Sequence, residues 1–550
     1  MPSIKEAHWA SLLETDGTTG RLALWAGLLG ATLVLYGLGI AVYRIWFHPL
    51  SKFPGPVSMA LTEWTFLYKQ HMSGTMTAQM GEMHRKYGKI VRVCPNRILV
   101  EGSIGWNDVY AHRPGGDATE FHKPFNYFFP GDQASLIGAP TRDDHRRQRR
   151  QLAHAFSEAA MVEQAPIIMF YIELFIQRLA ENSANGQPVD MLKWLNFVTF
   201  DIIGDLSLGE SFHSLETSDY HPWVLNIFNG IRGINKSRFL KSLWPVMATL
   251  YGRFESSGSL KASRENLNYA REKARARLAL GPEPLVADRE QVVGLDGKTR
   301  KMTVRRDFMT YMMRNGAAGS DEKSVITEEE LLNNAFLIIT AGSETTGTNL
   351  STLFYMLGLP SNRAYRDTVA AEVRAAFSDA SEMNLLNVNA KALPLLHACI
   401  EESLRYHCPI TNPPPRISRG APVGGHYIPK GVVINVSGHA TFRSPEHFFD
   451  AGSWRPERFL PAGHAMYDAR FANDDTSVFK PFSHGPRDCI GKNLSYAEMR
   501  LVAANVLLRF DVDLHPDTPA DWLSGQRSFG IWEKGPLMLR LDERKDLVAA

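Results

Sequence analysis

Cysteine is scarce, with four in 550 residues. That excludes a disulfide framework and leaves burial to hold the fold. The four show no zinc-type spacing. Net charge is nearly missing too, with 60 Lys and Arg against 58 Asp and Glu. No global field for nucleic acid follows, and any basic surface must be local. Internal repeats and low-complexity tracts are absent. At 44% hydrophobic and 21% charged, the chain is not of a disordered class. At about 150 residues per domain the length allows three or four domains. The pattern along the chain favours one large domain behind an anchor.

What is present begins near the N-terminus. Residues 22–43, LALWAGLLGATLVLYGLGIAVY, carry no charge. At ~1.5 Å per residue they cross a hydrocarbon core of ~30 Å. Trp25, Tyr43 and Trp46 sit where interface aromatics belong. A signal peptide has a shorter apolar core, roughly 7–15 residues, and a small-residue cleavage site that HPLSKFPGP does not offer. The expected division is a tail over 1–21, a transmembrane anchor over 22–43, a Pro-rich hinge over 44–57 and the body over 58–550. Arg44, Lys52 and Lys69 tilt the charge count toward a cytoplasmic body. No second run of comparable length follows. The sequons at Asn235, Asn349, Asn435 and Asn493 are triplets that arise by chance, two of them in stretches expected in the core.

In the body, residues 90–100 (IVRVCPNRILV) read as two short strands around a Pro-Asn turn. Helical patterns cover 141–160, 163–181, 190–208, about 391–406 and about 491–510. A charged region over about 255–306 reads as surface helix plus hairpin. Thr327 followed by three glutamates is a capping box, opening an apolar helix that stops at Pro360. A helix apolar nearly all round is buried, so its lone acid, Glu344, needs partners or work.

Four groups of residues carry chemistry. Cys489 stands in Phe482-x-x-Gly485-x-Arg487-x-Cys489-x-Gly491. Glycines at 485 and 491 let backbone approach a flat cofactor. Arg487 offers a fork for a carboxylate. The helix starting just after Cys489 favours thiolate. A lone Cys is commonly a packing residue, but this pattern is too constrained for that. Ala341-Gly342-Ser343-Glu344-Thr345-Thr346 places an acid beside an alcohol mid-helix. Gly342 opens space, Thr345 can bond back to Ala341, and Glu344 with Thr345 can relay protons through water. Alone, a Thr pair fills core space. Glu402 and Arg405 lie one helical turn apart, a spacing common on helix surfaces. The run Arg142 to Arg150, RDDHRRQRR, reads by itself as a solvated helix face or a phosphate patch.

Together these motifs, in this order, resemble the cytochrome P-450 superfamily over residues 44–540. The resemblance implies a mainly α fold with small β-sheets, the cytochrome P-450 fold, behind a single N-terminal transmembrane helix. It implies haem b, held without covalent attachment since C-x-x-C-H is absent, with Cys489 as thiolate ligand to iron. Arg487, Arg149, Arg416 and His145 are then expected at the propionates, His145 standing where the family has Trp. Phe482, Gly485, Gly491, Ala341 and Gly342 are expected around the cofactor. Glu344 and Thr345 become the distal proton relay. Glu402, Arg405 and Arg458 become a buried charge network supporting the ligand loop. Phe125, Phe128, Phe129, Phe336, Ile410, Thr411 and Phe529 are expected near the substrate.

The implied activity is a haem-thiolate monooxygenase on the endoplasmic reticulum membrane. It would hydroxylate or epoxidise a small apolar intermediate, a terpenoid or polyketide, since YRIWFHPLSKFPGP and DDHRRQRRQLAHAFSEAAM resemble filamentous-fungal secondary-metabolism members. Electrons come from a separate NADPH-dependent reductase, with cytochrome b5 as a further donor, to a monomer that contacts lipid. The alternatives are an isomerase, dehydratase or multi-step oxidase with the same haem, or a non-enzymatic haem sensor or carrier.

Overall fold

The computed structural model describes residues 18–124, 134–243, 259–282, 292–293, 299–300, 306–317 and 326–544. Its first element is α1, Thr18–Val42, continued without a break by a π-helical turn over Tyr43–Phe47. The helix keeps apolar side chains such as Leu22, Trp25, Leu29 and Leu35 exposed along its length. Only one other helix among the described residues matches it in length and apolar character, the run Glu158–Gly186, and that one is half buried in the body.

The Pro-rich segment read as a hinge is docked. Leu50 and Phe53 are buried in the cluster around the first sheet. Arg92 N–H donates to Pro54 O at 2.8 Å. Arg92 Nη1 donates to Arg44 O at 2.6 Å, and Arg44 Nη1 to Leu61 O at 2.5 Å. A Cβ on Gly55 would lie 2.0 Å from Arg92 O, so only glycine lets the chain pass here. Proline stiffness and these contacts leave the segment no free joint.

The first sheet joins β1 (Ile90–Cys94), β2 (Arg97–Val100), β3 (Arg416–Ile417) and β4 (Val433–Val436) in the order β1-β2-β4-β3. β2 and β4 run parallel, the other pairs antiparallel. A second sheet pairs β5 (Phe510–Leu514) with β6 (Met538–Glu543) and the short strand Val189–Asp190. Val292–Val293 pairs with Thr299–Arg300, the hairpin expected after the charged helix Ser259–Ala279.

Helices form the main core. α2 (Arg142–Ala153) is capped by Thr141, whose hydroxyl accepts from Asp144 N–H at 3.0 Å. The helical pattern expected over 141–160 is broken, because Ser157 caps a new helix, α3 (Glu158–Ser183), after a 3-10 turn. α4 (Met191–Leu208) packs along the long central helix and ends at Gly209, whose φ of 70° is the left-handed cap. α5 (Pro222–Leu243) follows. The central helix, α6 (Glu328–Gly358), carries the capping box in full: Glu330 N–H to Thr327 Oγ1 at 3.2 Å and Thr327 N–H to Glu330 Oε2 at 2.9 Å. α7 (Pro394–Tyr406) and α8 (Lys492–Arg509) complete the frame around it.

Candidate active site

α6 is buried through nearly its whole length, with one interruption. Ala341 is exposed and Thr340, Gly342 and Thr345 are partly so, in mid-helix. Cys489, on the loop before α8, is also accessible. Protein nonetheless packs around its sulfur. α6 and the first turn of α8 are joined by a hydroxyl hydrogen bond of 3.1 Å between Thr346 and Ser495.

The Cys489 loop is tightly built. Cys489 N–H donates to Phe482 O at 2.9 Å, closing it, and the Phe482 ring rests on Tyr496 with centroids 4.9 Å apart. Gly485 has φ of 82°, and a Cβ there would lie 2.1 Å from Tyr110 O. Its role is therefore a turn and a protein–protein approach, not the approach to a cofactor expected from sequence. Gly491 differs: its Cβ would meet nothing nearer than Phe156 at 3.8 Å, so glycine there keeps space beside the sulfur. Burial pushes the Cys489 thiol up, while the Gly491 N–H, Arg149 and Lys492 pull it down, Asp488 adding to the rise. The N–H at the helix start pulls toward thiolate, as the sequence suggested, and a bound metal would add to that pull against desolvation.

The basic run divides by destination. Arg147 donates to Glu330 Oε2 at 2.8 Å, tying α2 to the cap of α6. Arg149 donates to Asp488 O and Asp488 Oδ1, both at 2.6 Å, bracing the residue before Cys489. Arg487 donates to Glu120 Oε1 at 2.7 Å and to the carbonyls of Ala139 and Thr141. Arg416 lies 4.5 Å from the Tyr110 ring and donates to Pro414 O. At their centre is His145, which burial and then the charges of Arg487, Lys123, Arg149 and Arg416 bring down to about 2, leaving a neutral ring. Glu120 and Asp488 are the carboxylates that Arg487 and Arg149 meet there. This donor set, the accessible thiol and the opened helix face fit a flat dicarboxylate cofactor such as haem.

Thr345 Oγ1 donates to Ala341 O at 2.8 Å, as the sequence suggested. Gly342 is different from expectation: a Cβ there would lie 3.0 Å from Ile203 Cδ1, so glycine admits α4 rather than opening a site. Glu344 is buried and ion-paired with Lys534, a residue the sequence reading did not single out. Glu498, also missed, is pushed up to about 8 by burial, moderated by a bond from Thr346. Single acids and lysines have no spacing signature, so no signal for them existed.

Glu402, Arg405 and Arg458 meet with no exposed side-chain surface. Arg405 forks onto Glu402 with both bonds at 2.7 Å and donates to Phe442 O and Ser453 O, each at 2.8 Å. Arg458 donates to Glu402 Oε2 at 3.1 Å and pairs with Asp474, a fourth member. Of the residues expected near a substrate, Ile410 and Thr411 adjoin Phe529 through the Thr411–Ser528 bond, and Phe336 lies elsewhere. Phe336 packs edge-on to Trp223 in the core. Thr411 is buried and bonded to Ser528 and Thr77. Phe529 closes over Gly74, and Ile410 is exposed. Phe125, Phe128 and Phe129 lie outside the described residues.

A family model described as Cytochrome P450 matches residues 54–539. A Cytochrome P450 monooxygenase astJ of Aspergillus oryzae is 37% identical, over 93% of this chain and 95% of its own length. A Cytochrome P450 monooxygenase lcsI of Purpureocillium lilacinum is 35% identical over 98% of each chain. A Trichothecene C-15 hydroxylase of Fusarium sporotrichioides is 34% identical, over 95% of this chain and 99% of its own. With a match of this extent and a site of this geometry, the chain belongs to the cytochrome P450 family and is a P450 monooxygenase.

Proposed function

We propose that Cys489 is the thiolate ligand of the haem this family uses, and that the enzyme hydroxylates an apolar secondary-metabolite intermediate. The observation that carries the ligand assignment is an accessible thiol on a loop closed by the Cys489 N–H to Phe482 O bond, with space left beside it at Gly491. When bound, haem supplies the oxygen-splitting chemistry, with thiolate donation favouring O–O cleavage. The protein's share is position and protons. Arg149, Arg487, Arg416 and Lys123 gather carboxylates around neutral His145. Thr345 holds a proton on Oγ1 against Ala341 O, and Glu344 is the nearby acid. Water that enters beside the accessible Thr345 face completes a relay. Hydroxylation of a C–H bond is favoured over epoxidation by likeness to the C-15 hydroxylase.

Electrons reach this family through a redox partner. Here a membrane-bound NADPH-dependent reductase fits the exposed Arg146 and Arg150 on α2, with cytochrome b5 as a further donor to a monomeric enzyme. α1 is read as a single-pass anchor in the endoplasmic reticulum membrane with the body in the cytoplasm, supported by its exposed apolar surface and by Arg44, Lys52 and Lys69 beyond it. The test of the ligand is Cys489→Ala. The variant is expected to lose the long-wavelength Soret band of the reduced carbon monoxide complex, and retention of that band overturns the assignment.

A further inference from the structure

The docked segment after α1 borders a surface cavity. Lys52, Phe53 and Pro54 form part of its lining, and its volume is about 320 Å³. That is near the lower end of small-molecule sites, which run to roughly 300–1,000 Å³. Lys89 and Ile90, at the start of β1, contribute a second part. A third comes from the hairpin that pairs Ala421–Val423 with His426–Ile428.

The lining divides by chemistry. Phe53 and Ile90 are buried and Ile104 is half-buried, which gives the cavity an apolar base. Gly424, at φ of 57°, lets the hairpin close on that base, for a Cβ there would lie 3.0 Å from Ile90 Cδ1 and 3.1 Å from Ile104 Cδ1. Exposed cations stand beside it. Lys52 has no carboxylate partner among the described residues, and its ammonium lies 5.2 Å from the Phe53 ring. Lys86 has none there either, and its ammonium lies 5.3 Å from the ring of Tyr87, another lining residue. Lys89 Nζ is shared between Glu446 and Ser103 Oγ, each at 3.3 Å. Glu446 is thus the one carboxylate that these three ammonium groups meet among the described residues. His426 sets its ring edge-on to Phe53, with centroids 5.5 Å apart.

The cavity also has a fixed place relative to α1. Lys52 is five residues beyond Phe47, within about 18 Å of it at the ~3.6 Å a residue can span. Two turn bonds shorten the path, from Ser51 N–H to His48 O at 2.8 Å and from Phe53 N–H to Leu50 O at 3.1 Å. The headgroup layer is roughly 5–8 Å deep on each side of a hydrocarbon core. With α1 across the core, the cavity stands close to that layer, and the contacts of Gly55 and Arg44 keep it there.

We propose that this cavity seats the headgroup of an anionic phospholipid. The phosphate meets Lys52 and Lys89, and the glycerol and first methylenes cover Phe53, Ile90 and Ile104. Free phosphate carries the same charge but has nothing to lay on the apolar base, so the lipid is the better fit. The proposal rests on the anchor reading given under Proposed function and adds to it a lipid class and a seat.

Two measurements on the full-length enzyme keep these readings apart. Flotation with vesicles of phosphatidylcholine alone reads the anchor, because the cavity has no anionic ligand there. Phosphatidylglycerol added to the enzyme in neutral-detergent micelles, with the bound lipid counted by native mass spectrometry, reads the cavity. The parent is expected to float, to saturate at one phosphatidylglycerol per chain and to keep it against excess inorganic phosphate. Each lysine lost, in Lys52→Gln and then Lys52→Gln/Lys89→Gln, is expected to weaken binding about fivefold. Lys52→Arg keeps the charge and is expected to bind as the parent does. So is Lys391→Gln, at an exposed lysine outside the cavity. Uptake that never saturates, or equal weakening in Lys391→Gln, means diffuse attraction to charge and overturns the proposal. Displacement by inorganic phosphate overturns the lipid assignment. A chain that floats without binding phosphatidylglycerol overturns the proposal and leaves the anchor standing, whereas a chain that fails to float overturns both.

Discussion

His447 is held between two acids from different parts of the chain. Its Nε2 meets Glu101 Oε1 at 3.1 Å and its Nδ1 meets Asp475 Oδ2 at 3.5 Å. The Glu101 bond raises its pKa above the ordinary 6.5 against the opposing effect of burial. Burial works to raise Glu101, but bonds from His447 and Ser103 prevail and bring it from 4.5 down to about 2. The signs give a window. The Glu101 contribution is present above 4.5 and fades as pH falls toward 2. The His447 contribution is full below 6.5 and fades as pH rises through its raised folded value. Parent minus His447→Gln in thermal midpoint should therefore peak between pH 4.5 and 6.5 and shrink on both sides. A flat difference across pH would show that the ion pair does not form. Such pairs are where sequence reading stops. Glu402 and Arg405 announce themselves by one helical turn, but Asp474, Glu101 and Lys534 find their partners only after folding. The sequence separations, 346 for His447 with Glu101 and 190 for Lys534 with Glu344, leave no local pattern to read.

At the scale of elements, helix ends were legible because local chemistry sets them. Thr327 with Glu330 opened α6, and Pro394 at the first turn opened α7 where a start near 391 was expected. The break after α2 was missed because Ser157 is an ordinary-looking residue in a polar stretch, and only its capping bond to Ala160 N–H marks it. The glycines of the Cys489 loop show the same limit. Both stand in one motif, yet they answer to different neighbours. Gly485→Ala adds backbone strain of about 1–3 kcal/mol and drives a methyl into Tyr110 O. Gly491→Ala meets open space at an ordinary φ of −86°. Denaturant midpoints are expected to drop sharply for the first and little for the second, whereas haem affinity is expected to suffer in both. Equal loss of stability would mean that the two glycines serve one purpose.

For the whole molecule, the question is where the body begins. Sequence placed the boundary after 57, because a run with Pro54, Gly55 and Pro56 reads as a joint. Burial of Leu50 and Phe53 and the bond from Arg92 N–H to Pro54 O move it to the end of α1. A chain starting at Tyr43 is expected to keep the parent's unfolding midpoint in detergent-free buffer. One starting at Val57 loses two buried side chains from the first sheet's cluster and should be less stable by about 5 kcal/mol or more. Identical midpoints would return the boundary to 57. Three of the four sequons, Asn235, Asn349 and Asn435, are buried in the folded body, and Asn493 alone is exposed.

The docked segment has a mechanical consequence. With Gly55 wedged against Arg92 and Arg44 clasped at both ends, α1 and its π-helical extension act as a lever of roughly 45 Å fixed to the first sheet. The far side of that sheet is β3, which begins at Arg416. Tilt of the lever therefore carries the first sheet, and Arg416 on its far strand, with it. In a bilayer, thickness and curvature would set the angle at which the body presents its faces, with no slack between them.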